Sequence, residues 1–235
     1  MSMLAATLGL VLLSNPKVVV KDLKVGKGPG VRNGDVVTLH YKGSLLDGTM
    51  FDESTKRAPF VFRVGQKDVI LGFDQGILGM KKGGQRVLTI PPELAYGDKA
   101  VGPIPAGSTL QFELNLLRID PKGKKPMIEI EEITPGEGPE AKEGDSIEVH
   151  YVGTFLDGSQ FDSSRDRNQP LPVVIGKTGL IEGFTMALTG MKLGQRRKVT
   201  IPYQLAYGEA GRPPVIPAMA TLVFDLEIVK LTPRS

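Results

Sequence analysis

Two stretches decide the fold: LHYKGSLLDGTMFDES at residues 39–54 and VHYVGTFLDGSQFDSS at residues 149–164, the second lying 110 positions after the first. The likeness continues down the chain. GMKKGGQRVLTIPPELAYG at 79–97 returns as GMKLGQRRKVTIPYQLAYG at 190–208, and IPAGSTLQFEL at 104–114 returns as IPAMATLVFDL at 216–226. Only two single-residue length changes separate the copies, one between Asp52 and Gly72 and one between Gly97 and Ile104; changes of that kind belong in surface loops. A period near 110 residues is that of a whole domain and not of a solenoid unit. The chain therefore reads as a duplicated autonomous fold: a first domain over 17–120, a linker at 121–125 made of proline, glycine and lysine, and a second domain over 126–235.

Within each copy the apolar pattern is mainly that of strands. Val37, Leu39 and Tyr41 alternate with Thr38 and His40, the period-two signature of a sheet with one buried face. Leu110, Phe112, Leu114 and Leu116 repeat it, as do Leu222, Phe224, Leu226 and Ile228. VILGFDQGILG at 69–79 and LIEGFTMALTG at 180–190 carry apolar residues at helical spacing over about three turns, so one short helix is expected to lie across each sheet. The expected class is α+β, dominated by antiparallel sheet. His40 and His150 fall on the polar phase of their strands and read as surface histidines.

Composition narrows the chemistry. With 235 residues, 40% hydrophobic and 23% charged, the chain suits two soluble domains of ordinary size. The 29 basic residues are interspersed with 26 acidic ones, which argues against a nucleic-acid partner. The absence of cysteine removes disulfides, thiolate nucleophiles and cysteine-ligated metals. The two histidines occupy equivalent positions in separate domains, so neither a metal centre nor a histidine triad is expected, and no cofactor is called for. Residues 1–16 hold an apolar run, Met3–Leu13, too short to span a bilayer. It has the length of a signal-peptide core but lacks a basic start and a small-residue cleavage site. Two readings stand: a short element packed on the first domain of a cytoplasmic protein, or the remnant of a signal on a protein exported to the periplasm or endoplasmic reticulum. No later segment is apolar enough to cross a membrane.

Taken in order and found twice, HYxG, LDGxxFDxS, an apolar pair before GF, LAYG and IPA followed by TLxF closely resemble the FKBP family of peptidyl-prolyl cis/trans isomerases. The resemblance covers everything except the N-terminal tail and the linker. It implies, for each domain, a twisted antiparallel half-barrel of five or so strands wrapped around a short helix, with a hydrophobic pocket that receives a substrate proline. Matched motif by motif, it implies catalytic roles for Tyr41, Phe51, Asp52, Tyr96 and Phe112 in the first domain and for Tyr151, Phe161, Asp162, Tyr207 and Phe224 in the second. Substrate-binding positions would be Phe60, Val69, Ile70, Phe73 and Ile104, then Leu171, Leu180, Ile181, Phe184 and Ile216. Phe73 and Phe184 stand where many relatives carry tryptophan. The copies differ where Leu171 replaces aromatic Phe60 and Gly179 replaces Asp68, and the first flap loop is shorter. Both domains are expected to be competent, with different substrate preferences.

Such residues suit this reaction. Rotation about an X-Pro bond meets a barrier of roughly 18–20 kcal/mol because amide conjugation must be broken. A twisted amide is less polar at its carbonyl than a planar one, so an apolar pocket favours the transition state without a nucleophile or a general base. The hydroxyls of Tyr96 and Tyr207 are implied to hold a substrate carbonyl, while Asp52 and Asp162 pair with Arg57 and Arg167 and with Tyr41 and Tyr151. Expected partners are proline-containing polypeptides, with macrolide immunosuppressants as exogenous ligands, and the protein is expected to be monomeric. The alternative is a tandem proline-segment binder or chaperone-like scaffold with one pocket inactive.

Overall fold

In a computed structural model, residues 15–177 and 179–234 are described; the N-terminal apolar run read above, Met3–Leu13, lies outside them. The first unit comprises β1 (Val19–Lys24), β2 (Lys27–Gly30), β3 (Val36–Leu45), β4 (Met50–Glu53), β5 (Phe60–Arg63), helix α1 (Leu71–Ile77), β6 (Lys81–Lys82), β7 (Gln85–Ile90) and β8 (Leu110–Asp120). Its main sheet runs β1-β7-β8-β3-β4, with β5 also paired to β3, and β2 pairs with β6 in a small separate sheet. The second unit comprises β9 (Glu129–Thr134), β10 (Ser146–Thr154), β11 (Gln160–Ser163), β12 (Leu171–Val174), helix α2 (Glu182–Leu188), β13 (Arg196–Ile201) and β14 (Leu222–Thr232). Its sheet, β11-β10-β14-β13-β9 with β12 on β10, repeats the first. Every strand pairing is antiparallel, giving two α+β units of one topology.

The alternation along β8 does what the period-two pattern requires. Leu110, Phe112, Leu114 and Leu116 are buried in one core with Leu39, Leu88 and Ile90 of the neighbouring strands and Phe73 and Ile77 of α1. The second core repeats this set with Leu222, Phe224, Leu226, Val149, Val199, Ile201, Phe184 and Leu188.

Each helix is shorter than the sequence pattern indicated, two turns and not three. Ile70 and Ile181 flank the helices in extended conformation and Leu78 ends the first one likewise, so the apolar spacing that spans 69–79 is shared between a helix and its extended flanks. No side chain caps either N-terminus, and the glycines Gly72 and Gly76 are poor helix formers. What holds α1 is packing. A Cβ on Gly72 would lie 2.2 Å from Ile90 Cγ2, so glycine lets the helix touch β7; Gly183 stands in the same relation to Ile201, at 2.3 Å. At the other end a buried arginine from the sheet takes up the free carbonyls. Arg86 Nη1 donates to Gly76 O (2.8 Å) and Leu78 O (3.0 Å), and its Nε donates to Asp22 on β1 (2.7 Å). Arg197 repeats the arrangement with Ala187 O and with Glu132. Terminal carbonyls otherwise left unpaired are satisfied there, and the helix stops.

The outer face of β3 departs from expectation. His40, read as a surface residue, keeps only 12% of its side chain exposed and bonds Asp157 of the second unit at 3.0 Å. Val36, Thr38, Arg118 and Asp120, on the same face, are buried too. The second unit lies against this face: Thr221 Oγ1 donates to Asp120 (3.4 Å), and Ala58 packs on the second core. At the equivalent face of the second unit, Ser146 is exposed and Lys230 pairs with Glu148 at the surface. His150 bonds Ser164 as His40 bonds Ser54, both at 3.1 Å, and among the described residues has no counterpart of the bond to Asp157.

Replacing Arg86 with alanine strands the carbonyls of Gly76 and Leu78. Urea titration should show a loss of about 1–3 kcal/mol; an unchanged midpoint would mean that the helix end draws no support from it.

Candidate functional site

The site is built on β3 and closed by α1. Tyr41 rises from β3, and its ring centroid lies 5.4 Å from Phe60 on β5, 6.2 Å from Phe73 on α1 and 6.0 Å from Phe112 on β8. Phe112 also meets Phe73 at 5.2 Å and Phe51 of β4 at 5.6 Å. All five contacts are edge-on, the geometry in which a ring's positive edge meets a neighbour's negative face, each contributing about 0.5–1.5 kcal/mol beyond burial. The second unit assembles Tyr151, Phe184, Phe224 and Phe161 in the same way, at centroid distances of 5.1–6.2 Å. Leu171 supplies no ring opposite Tyr151. Ile104 and Ile216 are buried in the two cores, while Val69, Ile70, Leu180 and Ile181 are half-buried against them.

Two contributors escaped the sequence reading. A Cβ on Gly43 would meet Phe51 Cε2 at 2.6 Å and Phe112 Cε1 at 2.9 Å, and one on Gly153 would meet Phe161 Cζ at 2.6 Å and Phe224 Cε1 at 3.0 Å. The glycine of HYxG is therefore the gap that lets two rings lie on the strand. Phe155, buried and 5.1 Å from Phe161, adds a ring to the second unit where the first has Leu45. Its signal was the F of HYVGTF, aligned with the L of HYKGSL.

A polar triad closes one wall. The Tyr41 hydroxyl donates to Asp52, and Arg57 Nη2 donates to Asp52 Oδ1 (2.7 Å) and to the Tyr41 oxygen (2.9 Å). In the second unit Tyr151 donates to Asp162 Oδ2 (2.5 Å), and Arg167 donates to Asp162 Oδ1 (2.6 Å) and to the Tyr151 oxygen (2.9 Å). Burial, and then the bond to Asp52, push the Tyr41 phenol up to about 12; Tyr151 is raised for the same two reasons. Burial works against ionising Asp162, but the Tyr151 hydroxyl and Arg167 outweigh it and hold the carboxyl below its ordinary value. Near neutrality the tyrosines keep their protons and Asp162 stays ionised, so this wall holds a fixed charge pattern and is not poised to move a proton.

Tyr96 and Tyr207 stand outside the ring clusters. Each follows a single 3-10 turn, Pro92–Leu94 or Tyr203–Leu205. Each is followed by a glycine at positive φ, Gly97 (60°) and Gly208 (66°), from which the chain folds back. The turns are closed by Gly97 N–H to Pro92 O and Gly208 N–H to Tyr203 O, both 2.8 Å. Tyr96 is 37% exposed. Tyr207 is half-buried against the second core, with the Arg212 guanidinium 5.9 Å from its ring centroid. Neither hydroxyl bonds another described residue, which leaves both free to donate outward. Among the described residues no group of three or more His, Asp or Glu side chains is placed to hold a metal. A separate cleft of about 500 Å³ follows the linker, lined by residues including Lys82, Arg118, Met127 and Pro202, and contains none of the ring cluster.

A family model described as FKBP-type peptidyl-prolyl cis-trans isomerase matches residues 28–117 and 138–229, and the chain belongs to that family. It is 42% identical over 203 residues to the peptidyl-prolyl cis-trans isomerase FKBP10 of Homo sapiens, covering 85% of this chain and 34% of that one. To FKBP9 of Rattus norvegicus it is 41% identical over 203 residues, covering 86% and 36%. The chain thus spans about a third of the length of these relatives. Among solved structures, FkpA from Escherichia coli is similar over 44% of this chain and 48% of that one, at 44% identity and a TM-score of 0.42. The three FKBP domains of wheat FKBP73 are similar over 92% and 94%, at 25% identity and a TM-score of 0.42.

Because the folded Asp162 value is depressed, its contribution to stability is complete above the unfolded value and is lost as pH falls through the folded one. Carbon NMR of the Asp162 carboxyl should show the ionised shift down to below pH 3.8, its ordinary value. A midpoint at or above that value contradicts the triad. Gly43→Ala should push Phe51 and Phe112 apart and lower stability by about 1–3 kcal/mol, read by denaturation and by changed chemical shifts of both rings; native shifts would show that the strand has room.

Proposed function

We propose that each unit, 17–120 and 126–235, is a peptidyl-prolyl cis/trans isomerase domain that turns over X-Pro bonds without covalent chemistry. The observation that carries this reading is the duplicated ring cluster, edge-on and mostly buried, with its tyrosine–aspartate–arginine wall. A proline ring seated on Phe73 and Phe112, or on Phe184 and Phe224, leaves its amide among apolar surfaces. There the twisted, deconjugated geometry loses less solvation than the planar one. Val69, Ile70 and Ile104, with Leu180, Ile181 and Ile216, line the approach. Tyr96 and Tyr207, whose hydroxyls are unpaired within the described protein, hold the substrate carbonyl. Asp52 and Asp162 keep Tyr41 and Tyr151 in place, a positioning task and not a proton transfer.

The substrates are proline-containing polypeptides, macrolide immunosuppressants compete for the same cavity, and the chain acts as a monomer. Of the two locations, the exported one has the apolar run Met3–Leu13 in its favour, and nothing positive favours the cytoplasmic one. A second reading, in which one domain binds proline segments without turnover, draws on Leu171: the second cluster lacks the ring that Phe60 brings within 5.4 Å of Tyr41.

The test is a proline-limited isomerisation assay on the full chain. Asp52→Ala with Tyr96→Phe, and separately Asp162→Ala with Tyr207→Phe, should each remove part of kcat/KM. All four together should lower it at least about tenfold, the scale of losing a positioned group in the transition state. Rates equal to wild type in the fourfold variant would defeat the site assignment, and loss in only one pair would favour the binding reading for the other domain.

A further inference from the structure

The turns that carry Tyr96 and Tyr207 are alike in backbone and unlike in what braces them. In the second unit the turn at Tyr203–Leu205 leads into Ala206, Tyr207, Gly208 and Glu209, and the guanidinium of Arg63 in the first unit reaches both sides of Tyr207. Its Nη2 lies 2.5 Å from Glu209 Oε1 and 3.5 Å from the Tyr203 hydroxyl. Tyr203 is itself buried. The first unit has Pro92 and Asp98 at the corresponding places, and neither side chain meets a partner among the described residues. Tyr96 is correspondingly exposed, whereas Tyr207 is half-buried.

Arg63 is well placed to act as a brace because its own strand is anchored. It ends β5, paired with Val36 of β3, and Phe60 in the same strand belongs to the first ring cluster. Three further contacts fix the units around it: His40 to Asp157 at 3.0 Å, Thr221 to Asp120 at 3.4 Å, and Ala58 on the second core. The flap is thus tied, through the Arg63 side chain, to a strand paired into the first unit's sheet. Arg63, Tyr203 and Glu209 all stand at positions where the copies differ, the equivalents being Val174, Pro92 and Asp98. The brace therefore works in one direction only.

We propose that Arg63 is a positioning residue for the second domain's site, holding from the first domain the flap that carries Tyr207. The inference rests on the isomerase reading above. It means that turnover in the second domain depends on the first even when the first site is silent. A half-exposed ion pair contributes little to global stability, so the effect is local to the flap.

The experiment uses the full chain with Asp52→Ala and Tyr96→Phe in place, so that the remaining turnover comes from the second site. Arg63→Glu in that background should lower kcat/KM about two- to fivefold, the scale of an exposed pair, and should speed amide exchange over residues 203–212. Adding Glu209→Arg should restore both, and Arg63→Gln should give an intermediate effect without a reversed charge. Unchanged exchange in Arg63→Glu overturns the proposal, as does faster exchange with unaltered turnover or a failed rescue by the charge swap. If the parent chain shows no isomerisation at all, it is the isomerase reading that has failed, and the exchange arm still decides whether Arg63 braces the flap.

Discussion

The closeness of a two-turn helix to its sheet governs everything else in each unit. Gly72 and Gly183 remove the Cβ atoms that would strike Ile90 and Ile201 at 2.2 and 2.3 Å, and the buried Arg86 and Arg197 take up the carbonyls that the short helix leaves open. With the helix pressed down, Phe73 and Phe184 come within about 5 Å of Phe112 and Phe224. A helix standing further off would separate those rings and leave a void between them, and voids of that kind are costly in close-packed interiors. Glycine's low helix propensity, unfavourable by about 1 kcal/mol, is outweighed by the packing that its small size permits.

Much of this was legible in the residues. The repeat gave the architecture because a duplicated domain must reproduce its core positions, and period-two alternation located β3, β8 and β14 because a one-sided sheet buries every second residue. The Tyr41, Asp52 and Arg57 grouping was recoverable because each partner occurs twice at the same spacing. The length of the helices was not. Ile70 and Leu78 continue the apolar rhythm of α1 but have extended backbone, and periodicity cannot separate a third turn from flanking residues buried for another reason. Gly43 was passed over as one glycine in a motif; its meaning lies in the distance to two rings, which no spacing encodes.

His40 shows a different limit. Alternation reports which face of a strand meets its own core and is silent about whether a neighbouring domain covers the other face. A trace was nonetheless present: Val36 and Thr38 occupy positions where the second copy has Ser146 and Glu148, and the less polar pair is the one that became buried. Comparing the two copies position by position, instead of reading each for its period, distinguishes a solvated sheet face from a covered one. The same comparison singles out Arg63, Tyr203 and Glu209.

The contact between the units joins unlike surfaces: the back of β3 and β8 in the first meets the hairpin tip and flap of the second. The second unit's own back, with Ser146, Glu148 and Lys230, is left open to solvent. Contacts of this heterologous kind have no dyad to close them, so each added module would extend the row and leave a fresh face at its end. The two sites are in consequence inequivalent by position as well as by sequence: within residues 15–234 the first has a neighbour packed behind its sheet, and the second has a bare, polar sheet face behind it.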